Sequence, residues 1–277
     1  MPPPSSSQQK VLAAQFVTLT GASERQATKY LKSAGYKINE AVDAYYTSNE
    51  AKGSTTATAL EALFDKLRDD ENDDKNKMEL DSTMKYLDST LHVNLENAEL
   101  FVALEIVQAP NVGEITRRGF VDGWKAAAAG TTNQGHAAHI KSLAASLSTN
   151  PALFKKVYRY TFVAGREADQ KSLSLENALV YWGMLFSPPG MAWKTKNHDW
   201  LDLWKTFLNE KWTRSVNKDM WNMALEFAVK SMADETLSFW NEDGAWPSVI
   251  DDFVAWCRGK GIGKSESMDM DEELWKG

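Results

Sequence analysis

The sequence predicts an all-α fold, with a small three-helix bundle joined by a linker to a larger helical domain. Three observations predict it. Apolar residues recur at helical spacing through most of the chain, no convincing run of alternating β-branched residues interrupts them, and the breaks between periodic segments are rich in Gly, Pro, Asn and Asp. At 277 residues and 43% hydrophobic, the chain can bury one full-sized core and a small module beside it.

Residues 1–8 are mostly Pro, Ser and Gln and are expected to be disordered. Residues 9–49 then carry three short amphipathic patterns. Val11, Leu12, Phe16 and Leu19 mark a first helix ending at Gly21, and Ser23 with Gln26 makes a capping box for a second that stops at Gly35. Asn39 is placed to cap a third, which holds Ala41, Val42, Tyr45 and Tyr46. The Gly, Ser and Thr content of "SNEAKGSTTAT" reads as a linker over 50–58.

From 59 to 260 the pattern is helical, punctuated at "RDDENDDKN", "QAPNVG", "AGTTNQG", "STNP", "FSPPG" and "EDGAWP". Early in this domain, two helices are expected at 81 to 91 and 95 to 107. Residues 261–277 form an acidic tail.

Composition excludes several classes. A net charge of −7 with no basic stripe opposes nonspecific nucleic-acid binding. No run of 18 apolar residues exists, and "MPPPSSSQQK" lacks the apolar segment of a signal peptide, so no membrane association is expected and the nucleus or cytoplasm is the expected location. One cysteine and four histidines are too few for disulfide scaffolding or a zinc module. No cofactor is implied.

"DDENDDKNKMEL" offers Asp70, Asn72 and Asp74 at EF-hand positions, but Lys75 replaces the turn glycine and Asp81 stands where a bidentate Glu belongs. "ADQKSLSLENAL" has the same rhythm with fewer ligands, so both loops read as EF-hand-like and metal-free. His136 and His139 of "GHAAH" read as an incidental surface pair. Cys257 falls on the Ile250, Phe253, Val254, Cys257 stripe and reads as core, leaving no catalytic nucleophile.

The acids near the C-terminus are more suggestive. Asp219 lies in the first turn of one helix, and Asp251 and Asp252 follow a Gly-Ala-Trp-Pro turn into another. Either acid alone would be ordinary helix-start stabilisation. Two acids around a small Ala245, however, offer a notch for a long side chain flanked by partners for lysine or arginine.

Several stretches together resemble the defective-in-cullin-neddylation family: "FVDGW" (120–124), "LENALVYWGMLF" (175–186), "LDLWKTFL" (201–208), "KDMWNMALEF" (218–227) and "GAWPSVIDDFVAW" (244–256). The resemblance covers nearly the whole chain. It implies a ubiquitin-associated-like module at 9–49 before a potentiating-neddylation domain at 59–260. It also implies that Asp219, Ala245 and Asp251 hold the basic C-terminal winged-helix region of a cullin. A second implied site is an apolar pocket for the acetylated N-terminal methionine of the neddylation conjugating enzyme, at Leu80, Met84, Leu100, Ala103, Leu104, Val107 and Ile115 with Met184 behind them. The same residues also suit the buried stripes of their helices.

The implied activity is that of a scaffold ligase, promoting transfer of the ubiquitin-like modifier to the cullin lysine without covalent catalysis of its own. The small module implies ubiquitin or a ubiquitin-like modifier as a further partner, with Tyr45 and Tyr46 the apolar candidates for contact. On residues alone, a ubiquitin-binding adaptor and a calcium-binding EF-hand-like sensor remain alternatives.

Overall fold

The computed structural model describes residues 4–167 and 169–263, with 49–54 described through the backbone alone. The fold is helical, with the small module and the large domain built on separate apolar cores. No described helix is long and apolar enough to cross a membrane.

The small module consists of α1 (Ser6–Thr20), α2 (Glu24–Ser33) and α3 (Ile38–Tyr46). Ser23 and Gln26 form the expected capping box, and Gly21 ends α1 in the left-handed conformation at φ 68°. Phe16, Leu31, Ala41 and Tyr45 are buried together, with the Phe16 and Tyr45 rings edge to face at 5.6 Å. Two expectations are corrected here. Residues 6–8 are helical, because the Ser5 amide donates to Gln8 Oε1 at 3.0 Å and closes the first turn; residues 1–3 lie outside the described residues. Helix α3 is capped at Lys37, ahead of Asn39, because the positive φ of 63° at Tyr36 turns the chain into the helix early. Val11, Leu19 and Tyr46 are exposed, since three short helices can bury only one face each.

The expected linker is helical as well. Helix α4 spans Asn49–Leu67 and is anchored by the fully buried Leu60 and Phe64. Once that half is fixed by packing, each further residue adds one hydrogen bond, and a stretch without proline sustains the helix despite Gly53. Side-chain composition resembled a flexible spacer; backbone cooperativity prevails.

The large domain repeats one unit four times, a helix, a loop with a short extended stretch, and a second helix. In the first pair, α4 leads through β1 (Lys77–Met78) into α5 (Leu80–Met84), which widens into a π-helical turn over Lys85–Thr90. Helix α6 (Glu99–Ile106) leads through β2 (Ile115–Thr116) into α7 (Arg117–Ala127). The two strands pair antiparallel, Lys77 opposite Thr116 and Met78 opposite Ile115. Helix α6 starts later than expected because Asn94, Asn97 and Glu99 close a loop ahead of it: Asn97 Oδ1 accepts from the Glu99 amide at 2.8 Å and Glu99 Oε2 from the Asn94 amide at 3.1 Å.

Helix α8 (Asn133–Ser146) follows, and then the second pair. It comprises α9 (Pro151–Ala164), α10 (Leu175–Leu185), α11 (Trp200–Lys211) and α12 (Lys218–Ala233). Here Leu173 and Val216 exchange two backbone hydrogen bonds of 2.9 Å, as β1 and β2 do in the first pair. Helix α13 (Ser248–Gly259) closes the domain. This paired arrangement is that of EF-hands. In the first loop the acids serve the chain itself: Asp73 Oδ1 accepts from the Glu79 amide at 2.9 Å, Oδ2 from the Asp69 amide at 2.8 Å, and the Arg117 guanidinium bridges Asp65 and the Lys75 carbonyl. Ala168, in the second such loop, lies outside the described residues.

The core is dense in aromatic rings. Trp182 and Trp221 stack at 5.1 Å, and Tyr158 Oη accepts from Trp182 Nε1 at 2.8 Å while donating to the Trp221 carbonyl at 2.7 Å. Glycine has a packing role at Gly123, where an added Cβ would lie 2.1 Å from the Ile106 carbonyl oxygen, so α7 can cross the end of α6 only without a side chain there.

His136 belongs to this core, which corrects its reading as a surface residue. It is fully buried, stacks flat on Trp124 at 3.9 Å, and has Nδ1 3.1 Å from Tyr86 Oη and Nε2 3.2 Å from the Gly130 carbonyl oxygen. Both ring nitrogens have partners, so burial is affordable, and desolvation pushes the imidazole pKa down to about 4 despite the Gly130 carbonyl. His139, three residues on, is only partly buried.

Candidate functional site

Helix α12 positions the first acid. The Leu173–Val216 ladder fixes the entering strand, Asn217 caps the helix by accepting from the Met220 amide at 2.8 Å, and Trp221 is locked against Tyr158 by an Nε1 hydrogen bond of 2.9 Å to the Tyr158 carbonyl. Asp219 therefore sits on a rigid first turn with its side chain exposed. An acid there is favoured by the partial positive charge of the helix N-terminus.

The second acid follows a folded connection. Beyond α12, Asp234 accepts from the hydroxyls and amides of Ser238 and Thr236, and these hydrogen bonds hold its carboxyl down at about 2. The chain then presents Trp240, whose Nε1 donates to Asp251 Oδ1 at 2.9 Å. The Arg258 guanidinium lies over the same indole, 4.6 Å from its centroid. One tryptophan thus lies along α13 between its first-turn acid and its last-turn base.

In the Gly-Ala-Trp-Pro turn, Trp246 points inward and packs edge-on against Phe227 at 6.0 Å, leaving the Ala245 methyl exposed. Pro247 stands at the cap and α13 begins at Ser248. The stripe Ile250, Phe253, Val254 and Cys257 is fully buried, Asp252 is exposed, and Asp251 is half-buried on the flank.

Asp219 is thus carried by α12 and Asp251 by α13, helices joined through Phe227 and Phe253 with rings 5.5 Å apart, and Ala245 by the turn that leads into α13. Phe227 lies eight residues beyond Asp219, about 12 Å along α12. No hydrogen bond among the described residues joins Asp219 to the turn or to Asp251. Sequence reasoning missed Trp240 and Arg258. Neither lies in a local pattern that points to this arrangement: Trp240 reaches Asp251, and Arg258 reaches Trp240, through the way the loop after α12 folds back.

The apolar set divides differently. Leu100, Ala103, Leu104, Val107 and Ile115 are buried in the domain core, whereas Met84 and Met184 are partly buried and Leu80 is 57% exposed. Leu80 lies over Gly113, where an added Cβ would come within 2.9 Å of its Cδ1. Four of the buried five lie on α6 or at its C-cap and Ile115 on β2, and the rim is left to Leu80 and Met84.

Cys257 is fully buried, and burial pushes its thiol up to about 12, partly opposed by Lys260. A thiol so shielded is not available as a thiolate near neutral pH.

Comparison with known proteins finds two matched regions. Residues 11–52 match a UBA-like domain and residues 135–256 match the domain described as cullin binding, which spans α8 to α13 and includes Asp219, Ala245 and Asp251. The chain is 45% identical to defective in cullin neddylation protein 1 of Pyricularia oryzae, over 95% of this chain and 98% of that protein. It is 32% identical to the Yarrowia lipolytica protein of the same name, over 87% and 94% respectively, and 31% identical to human DCN1-like protein 3, over 77% and 67%. Fold and matches define a two-module helical protein, a UBA-like bundle before a cullin-binding domain. The chain belongs to the defective in cullin neddylation family.

Proposed function

We infer that the chain acts as a cullin-binding scaffold of neddylation, holding a cullin and the charged conjugating enzyme together so that the modifier passes to the cullin lysine. Gathering the two reactants raises the effective concentration of the thioester near the acceptor and supplies orientation, which requires no nucleophile from the scaffold. The buried Cys257, with its raised pKa, suits such a role.

The observation that carries this reading is that the cullin-binding match includes α12 and α13 together with the exposed Asp219 and Ala245 and the half-buried Asp251. Asp219 and Asp251 would pair with lysines or arginines of the cullin's C-terminal winged-helix region, and the small Ala245 would leave room for a long side chain between them. Trp240 supports this reading by orienting the Asp251 carboxylate before the partner arrives.

The acetylated N-terminus of the conjugating enzyme is assigned to the first helix pair, outside the residues matched as cullin binding. Leu80 and Met84 would form the entrance over the buried floor of Leu100, Ala103, Leu104, Val107 and Ile115, with Met184 behind. For the small module, Tyr45 is buried and is not a contact residue, whereas Tyr46 and Leu19 lie exposed beside each other, with Tyr46 Oη donating to the Leu19 carbonyl at 2.8 Å. That pair is the proposed contact for ubiquitin or the ubiquitin-like modifier.

The test is a purified transfer reaction with a cullin fragment, using acetylated and unacetylated conjugating enzyme side by side. The chain should accelerate cullin modification, more strongly with the acetylated enzyme. Equal rates with and without the chain would refute the scaffold role, and equal acceleration of both enzyme forms would remove the N-terminal pocket.

A further inference from the structure

The chain is acidic overall, yet one groove of the large domain is basic. Lys155, Lys156, Arg159 and Tyr160 of α9 face Lys218 and Asn222 of α12 around a cavity of about 750 Å³. A single carboxylate answers the four cations: Glu105, only 5% exposed, pairs with Lys156 at 2.9 Å. No ion pair among the described residues engages Lys155, Arg159 or Lys218. The wall also carries apolar surface, Val163 and the half-buried ring of Tyr160. Such a groove suits a ligand with several carboxylates and some apolar side chains.

The chain itself contains one. The segment "KSESMDMDEELWKG", residues 264–277, carries Glu266, Asp269, Asp271, Glu272 and Glu273 among Met268, Met270, Leu274 and Trp275. It starts within reach. Gly263, the last described residue, abuts Leu237 just beyond the end of α12, an added Cβ there lying 3.0 Å from Leu237 Cδ1. Lys218 begins the same helix, about 24 Å back along its axis. The eight residues from Gly263 to Asp271 span up to about 27 Å when extended, which brings the Asp-Glu-Glu run to the groove. Tethering supplies an effective concentration in the millimolar range, so modest electrostatic attraction suffices.

We propose that the acidic segment 264–277 docks in cis in the basic groove between α9 and α12. Docking neutralises Lys218, the cation next to Asp219, and so removes a charge that would oppose a basic partner on the neighbouring acidic edge.

The test is zero-length carbodiimide crosslinking of the full chain, with products mapped by mass spectrometry. Amide bonds should join Lys155, Lys156 or Lys218 to Asp271, Glu272 or Glu273. They should fade as salt is raised to about 0.5 M, where exposed charges are screened. They should also vanish for the remaining lysines in a K155E/R159E variant, which leaves the Lys156–Glu105 pair intact and whose helicity and Tm should stay native because both side chains are exposed. Mixing isotopically light and heavy chains separates the arrangements: crosslinks within one isotope support docking in cis, and mixed-isotope crosslinks overturn it in favour of a second copy. Crosslinks absent from the groove, or spread evenly over the surface lysines, also overturn the proposal. None of these readouts involves a cullin.

Discussion

The indole of Trp240 holds the carboxylate of Asp251 at 2.9 Å, while its face carries the guanidinium of Arg258. A half-buried acid that would otherwise choose its own rotamer is thereby aimed before any partner is present, and less ordering remains to be paid on binding. Trp240→Phe keeps a ring under Arg258 and removes only the donor. Affinity for a cullin C-terminal fragment should fall about three- to tenfold, the cost of ordering one more side chain on binding, with helicity unchanged. Titration calorimetry measures it, and unchanged affinity would mean that Trp240 is structural only.

The hydroxyl of Tyr158 is shared by two tryptophans, accepting from Trp182 and donating to the Trp221 carbonyl in a site closed to water. Tyr158→Phe strands the Trp182 indole N–H, while the Trp221 carbonyl keeps its place in the α12 backbone ladder. The expected loss is roughly 1–3 kcal/mol of stability, read as a lower urea midpoint with unchanged slope.

His136 makes stability depend on pH. Its folded pKa, about 4, lies below its ordinary value of 6.5 because burial disfavours the charged ring. The unfolded chain therefore binds the proton first, so stability from this residue is complete above pH 6.5 and is lost as pH falls towards 4, by up to about 3 kcal/mol. Urea titrations across that window should show a steeper decline for the wild-type chain than for His136→Gln. Parallel declines would show that the ring is not shielded.

Cys257 offers a chemical check. Buried on the α13 stripe with its thiol raised to about 12, it should resist alkylation in the native chain and react promptly in denaturant. Cys257→Ala should cost about 1–2 kcal/mol of stability through the small cavity it leaves, with cullin modification per folded molecule unchanged. Loss of modification without loss of fold would bring back a thioester mechanism.

Local chemistry was legible in the sequence where it is self-contained. The Ser23–Gln26 box, the left-handed Gly21, the break before Pro151 and the buried Ile250, Phe253, Val254 and Cys257 stripe all depend on neighbours within a few residues. The acids at Asp219 and Asp251 were legible for the same reason, as first-turn positions of their helices. What depends on distant partners was not. Asn49–Leu67 has a spacer's composition but is helical because Leu60 and Phe64 fix its far half. His136 looks like a surface residue until Trp124 and Tyr86, from other elements, enclose it. The two-residue strands are too short for any alternation to register, and Trp240 reaches Asp251 only through the fold of the intervening loop.

The central claim is that Asp219 and Asp251 hold a basic cullin surface, and charge reversal at each tests it most directly. Affinity for a cullin winged-helix fragment should be measured for Asp219→Lys, Asp251→Lys and, as an exposed control on α7, Asp122→Lys. The account predicts that each of the first two weakens binding by about a hundredfold or more with Tm nearly unchanged, and that the control binds like the wild type. Wild-type affinity in either Asp219→Lys or Asp251→Lys, in a folded chain, would contradict it.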